Sequence, residues 1–234
     1  MLSRRAFVML AASIVAAPLV GCGASEDEQA RAFADFLQRR ILDRPGVHVP
    51  ILNKEESDAI GHYAADFAVL AGFNHDMDAS LKTVSAALRP FPSQITPLDL
   101  PDYRSYMSAA RDFAVQIGPA LDSALTHAEE GRAKLDQPDI VKTKYQAAYD
   151  QFITRPSTAL RAASVLMIAT ADAEFALVDF IAAHRADLTM AGDQIEASTP
   201  ELLAQLQPLL VNWTASVAKA NEARGAYEKL MRGD

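Results

Sequence analysis
Apolar residues along most of this chain recur at steps of three and four, the spacing that gathers them on one face of an α-helix. The clearest run is Ile60, Tyr63, Phe67, Leu70, Met77, Leu81, Val84 and Leu88, with Asn74 alone interrupting it. Such an alternation predicts the seam of a packed antiparallel bundle. Asn53-Lys54-Glu55-Glu56 sets a cap residue three positions before a carboxylate, so the helix should open there. Unbroken from residue 54 to 88 it would be about 50 Å long, with Gly72 as its weak point. Upstream, Phe33, Phe36, Leu37 and Ile41 predict a shorter helix closed by Pro45-Gly46 and Pro50.

Pro90, Pro92 and Pro97 make a stiff crossover, and Pro101 suits the first position of the next helix. Tyr103, Met107, Ala110, Phe113, Ile117, Leu121, Ala124 and Ala128 trace its seam, with a kink expected at Gly118-Pro119. Val141, Tyr145, Ala148 and Phe152 follow Pro138 on a short helix. Another opens at Pro156 and runs to about His184, apolar on more than one side and so expected to be central. Residues 187–197 lose the helical period. Leu188, Met190 and Ile195 flank an Ala191-Gly192-Asp193 tip, the pattern of a small β-hairpin. Thr199-Pro200-Glu201 restarts a helix carried by Leu206, Leu210, Trp213, Val217, Ala220, Tyr227 and Met231, bent near Pro208. The pattern predicts a mainly α fold, an elongated antiparallel bundle of about six helices with one small hairpin near 187–197. No internal repeat or second domain shows.

Composition narrows the function more than the fold. The 234 residues are 50% hydrophobic and 22% charged, enough for one substantial core and too apolar for wholesale disorder. A net charge of −8 argues against a nucleic-acid partner. The single cysteine excludes an intrachain disulfide framework and any Cys-pair metal site.

That cysteine lies at the end of the most informative segment. Residues 1–21 hold no acid; Arg4 and Arg5 precede an apolar run from 6 to 20, too short to span a bilayer and laid out as a secretory signal. The run closes on Leu19-Val20-Gly21-Cys22, which resembles the bacterial lipobox. The resemblance implies a diacylglycerol thioether on Cys22, cleavage before it, and an acyl group such as palmitate on the freed amine. Two or three chains, at about 0.8 kcal/mol per buried methylene, anchor stably where one does not. Residues 1–21 are thus expected to leave, 22–30 to form the acylated cysteine and a short tether, and 31–234 a single helical domain. Loss of Arg4 and Arg5 takes the charge from −8 to −10, so the lipid and not a basic patch must hold the body to a membrane. Ser3-Arg4-Arg5-Ala6-Phe7 also resembles a twin-arginine export motif but lacks its later lysine, leaving the export route open. Gly23, not aspartate, follows the cysteine; by resemblance to the enterobacterial sorting rule this favours the outer over the inner membrane.

The lipobox, Ala32-Phe33-Ala34-Asp35-Phe36-Leu37-Gln38, the segment Asp66-Phe67-Ala68-Val69-Leu70-Ala71-Gly72 and the interruption around Gly192 together resemble a family of proteobacterial lipoproteins, domain-of-unknown-function family 3053. The resemblance covers essentially the whole mature chain. It implies a membrane-anchored envelope protein with no assigned activity, and it hands over no catalytic residues.

Few residues suggest chemistry of their own. His127 and Glu130 form a His-x-x-Glu on one helical face, similar to a short motif of imelysin-type periplasmic iron proteins; a solvated surface pair is the simpler reading. Asp76-Met77-Asp78 opens like a calcium loop but lacks the glycine and closing glutamate. His62 and Asp66, four apart, read as a helix-surface pair. No Gly-x-Ser-x-Gly elbow and no glycine-rich phosphate loop occur. The seam of the 156–184 helix, counted through Ala163, Met167, Thr170, Leu177 and Ile181, carries Glu174. An inward Glu174 would define a polar pocket with Asn74 or a histidine. A rotated helix, burying Leu166, Ala169, Ala173, Ala176 and Phe180 with Glu174 at the rim, is the favoured alternative. The sequence therefore predicts a non-enzymatic, lipid-anchored envelope protein, without cofactor, that binds or scaffolds an envelope protein partner. The alternative is a periplasm-facing binder of a small ligand or metal.

Overall fold
A computed structural model describes residues 24–85, 100–191 and 194–234. The first helix, α1 (Glu26–Leu37), is fixed by a reciprocal cap. The Glu28 amide donates to Ser25 Oγ (3.3 Å), and the Ser25 amide donates to Glu28 Oε2 (2.7 Å). Its helical start at Glu26 lies inside the expected tether of residues 22–30. Ala30, Phe33, Ala34 and Leu37 form its buried stripe, and a π-helical turn over Gln38–Leu42 extends the element and buries Ile41. A second cap, Asn53 with Glu56, opens α2 (Lys54–Ile60).

Here the expected long helix breaks. Gly61 takes φ 55° and ends α2, and α3 (Tyr63–Ser85) begins afresh. A Cβ at Gly61 would lie 2.1 Å from Gln29 Oε1, so α1's side chain occupies the space any other residue would need. Gly72, the weak point by sequence, sits inside an unbroken α3. The expected crossover residues Pro90, Pro92 and Pro97, with Leu88, fall outside the described residues.

Helix α4 (Leu100–Arg132) continues through Pro119. Helix α5 (Asp139–Tyr149) passes through a second π-helical turn, Asp150–Thr154, directly into α6 (Arg155–Ala183), so the expected separate start at Pro156 is a continuation. Strands β1 (Leu188–Ala191) and β2 (Gln194–Ala197) pair antiparallel, with Leu188 opposite Ala197 and Met190 opposite Ile195. Gly192 and Asp193 at the tip lie outside the described residues. Helix α7 (Pro200–Arg232) starts where the Leu202 amide donates to Thr199 Oγ1 (3.2 Å). The fold is mainly α with one small hairpin, as the pattern predicts.

Helix α4 packs between α3 and α6, and α6 packs against α7. Three ion pairs tie α4 to α6 in one antiparallel register: Arg104 with Asp179, Arg111 with Asp172 (2.6 Å) and Asp122 with Arg161 (2.5 Å). Successive pairs are seven and then eleven residues apart on both helices, spacings that return each side chain to the same face. One apolar cluster joins α1, α3, α4, α5 and the second π turn; its rings include Phe33, Phe36, Tyr63, Phe67, Tyr145 and Phe152. A smaller one joins α6, the hairpin and α7 through Leu177, Ile181, Leu188, Leu202 and Leu206. The end of α7 closes back on the loop after α1, where the Val47 amide donates to the Met231 carbonyl (2.9 Å).

Candidate functional site
Cys22, the expected lipidation site, lies outside the described residues; the fold begins with the Ser25 cap, three positions further on. No helix of the described residues is long and apolar enough to cross a membrane.

His127 and Glu130 do not converge on a common centre. His127 Nδ1 pairs instead across the α3–α4 seam with Asp76 Oδ2 (3.0 Å), while Glu130 is exposed. Among the described residues no three His, Cys, Asp or Glu side chains could hold a metal together. His62 and Asp66 are not a surface pair. Asp66 is buried under α5, where Gln137 Nε2 donates to its Oδ2 (2.6 Å) and the Tyr145 hydroxyl to its backbone carbonyl (3.2 Å). Burial pushes its pKa up, and the Gln137 bond and the nearby His62 pull it partly back.

Glu174 faces inward, at 7% exposure, with Ala163, Leu177 and Ile181 buried on the same stripe. Ala169 and Ala176, which the rotated arrangement would bury, are exposed. Glu174 is therefore not at the rim, although Ala173 of the rotated stripe is buried as well and Met167 of the Glu174 seam is 40% exposed. Asn74 is not its partner, because α4 stands between α3 and α6. Asn74 Nδ2 is buried without a partner of its own. The neighbour of Glu174 is Trp213 of α7. Burial raises the Glu174 pKa to about 7, and the Trp213 indole restrains that rise.

The principal cleft lies where α5 turns through the π segment into α6. It measures about 630 Å³, within the usual range for small-molecule sites. Leu125 and Glu129 come from α4, Tyr149 from the end of α5, Thr154 from the turn, and Ser157, Thr158, Arg161, Ala162, Val165 and Leu166 from α6. One edge is a fixed polar network. The Tyr149 hydroxyl donates to Glu129 Oε1 (2.9 Å), Arg132 pairs with Glu129 (2.8 Å), and its guanidinium stacks 4.6 Å from the Tyr149 ring centre. Burial and the Glu129 carboxylate push the Tyr149 pKa well up, so its hydroxyl stays protonated at neutral pH. Gln151 holds the π turn from behind, donating to the carbonyls of Arg44 (3.1 Å) and Gly46 (3.0 Å). Sequence periodicity misses this cleft, since the π turn shifts the helical phase between Tyr149 and Ser157.

A helical protein with a β-hairpin before its last helix, and a cleft beside a π-helical turn, is the class these features define. The chain belongs to the family described as protein of unknown function (DUF3053), whose model matches residues 9–228. It is similar to the uncharacterized protein YiaF of Escherichia coli strain K12, 25% identical over 224 residues, covering 94% of this chain and 93% of the relative. The YiaF proteins of Escherichia coli O157:H7 and Shigella flexneri match to the same extent. No solved structure matches.

Proposed function
We propose that this is a lipid-anchored protein of the bacterial envelope that works by binding. The observation that carries the anchor is Leu19-Val20-Gly21-Cys22 at the end of a short apolar run, three residues before the capped start of α1. Acylation of Cys22 would hold the fold within a few residues of the bilayer on the periplasmic side, and Gly23 in place of an aspartate favours the outer over the inner membrane. The acidic body offers anionic headgroups no attraction, which leaves retention to the acyl chains.

A binding role is supported by the cleft of about 630 Å³, with its apolar walls and fixed polar edge. The sequence carries no Gly-x-Ser-x-Gly elbow of the kind that would favour a hydrolase instead. The test is partition in a phase-separating detergent. The native protein enters the detergent phase, whereas Cys22→Ala stays uncleaved and unacylated. Equal incorporation of a labelled palmitate analogue by both proteins would overturn the anchor.

A further inference from the structure
We propose that the cleft between α4 and α6 binds an uncharged amphiphile: an acyl chain bearing an ester carbonyl and free hydroxyl, as in a monoacylglycerol. This goes beyond anchoring at Cys22 and concerns a site more than a hundred residues away in sequence.

Three observations set the ligand's chemistry. The walls are apolar along Leu125, Ala162, Val165 and Leu166, and Val165 is 59% exposed, so the apolar surface runs out to the mouth. A solvent-facing valine in a cleft this size leaves apolar area that a hydrocarbon chain would cover. Second, both charged lining groups are already neutralised. Glu129 is held by Arg132 (2.8 Å) and the Tyr149 hydroxyl (2.9 Å), and Arg161 by Asp122 (2.5 Å). Neither lining charge is left free as a counter-charge for a carboxylate or phosphate, whereas an uncharged headgroup leaves both surface pairs intact.

Third, Ser157 is 5% exposed, and its Oγ has no hydrogen-bond partner. The neighbouring Thr158 hydroxyl is committed to the Thr154 carbonyl (2.9 Å). A buried hydroxyl left unmatched costs free energy that a ligand oxygen at the cleft floor restores. The π turn beside it, Asp150–Thr154, is the kind of helix distortion that gathers at functional sites because it re-aims the side chains that follow. Chain, neutral headgroup and a single buried hydroxyl together describe an acyl ester.

The test is photolabelling of the full-length protein in vesicles of zwitterionic lipid, using a monoacylglycerol with a diazirine in its acyl chain. Adducts are located by peptide mass spectrometry. The cleft predicts adducts in the segments 125–129 and 157–166. Ala162→Trp, at an exposed cleft position, should abolish them with the helical circular dichroism unchanged. Ser157→Ala should weaken labelling about threefold to tenfold, the loss of one hydrogen bond. Its melting temperature should hold or rise, since the orphaned hydroxyl is gone. The matching fatty-acid anion should label the segments less. Labelling scattered over other exposed apolar residues, or unaffected by both variants, would overturn the proposal. Stronger labelling by the anion would overturn the uncharged headgroup. The N-terminal peptide of the same sample reports Cys22 acylation, so failure of the anchor and failure of the cleft are read separately.

Discussion

Glu174 sits at 7% exposure between Leu177 and Ala173, and its carboxyl titrates near a pKa of about 7 because burial disfavours the charge. The folded chain therefore keeps a proton that the unfolded chain gives up near the ordinary value of 4.5. This contribution is fully present below pH 4.5 and is lost as pH rises to about 7, a decline of roughly 3 kcal/mol in unfolding free energy. Urea denaturation between pH 4.5 and 8 measures it. Glu174→Gln should remove that component of the slope, and Glu174→Leu should raise stability at pH 8. An unchanged slope in the glutamine variant would place the titration elsewhere. Phe67 belongs to the same scale. It is 4% exposed and meets Phe36 edge-on, with ring centres 5.2 Å apart. Phe67→Ala should cost about 3–5 kcal/mol as a cavity in the larger cluster. A loss below about 1 kcal/mol on chemical denaturation would contradict its place in the core.

At the scale of elements, the seams and two of the caps were legible and the breaks were not. Asn53 with Glu56 acts as cap and carboxylate, and Thr199-Pro200 starts α7, both as the pattern predicts; the Ser25–Glu28 cap was not legible, since that stretch looks like a polar tether. Propensity singled out Gly72, but the chain breaks at Gly61, where a backbone at φ 55° that suits glycine carries it out of α2. Both π turns escaped as well: each widens the helical register, at the end of α1 in one case and between α5 and α6 in the other, and anchors such as Gln151 on the carbonyls of Arg44 and Gly46 are distant in sequence. Glu174 lies on one of two equally apolar stripes and the rotated helix is the favoured reading of the pattern, so its inward position was not legible; nor was its Trp213 neighbour, since that pairing depends on how α7 returns along α6. Gly61→Ala should destabilise by more than about 1 kcal/mol, through positive φ and overlap with Gln29. Gln29→Ala in the same chain should recover the steric part, and strict additivity in a double-mutant cycle would show that the two residues do not meet.

At the scale of the whole molecule, the two clusters divide the work. The larger one locks α1, directly after the proposed anchor, onto α3, α4 and α5, and its far edge forms the wall of the cleft at Tyr149. The smaller one holds α7 and the hairpin on α6. The loop at Gly46 then receives the end of α7, so the last element closes on the loop that follows the first. An anchored body of this kind would present the α4–α6 cleft at a fixed height above the bilayer. The anchor itself is tested most directly by the mass of the N-terminal peptide of protein extracted from envelope membranes. The account predicts a peptide beginning at Cys22 and carrying a diacylglyceryl thioether together with an N-acyl chain. An unmodified cysteine, or a chain that still begins with residues 1–21, would contradict it.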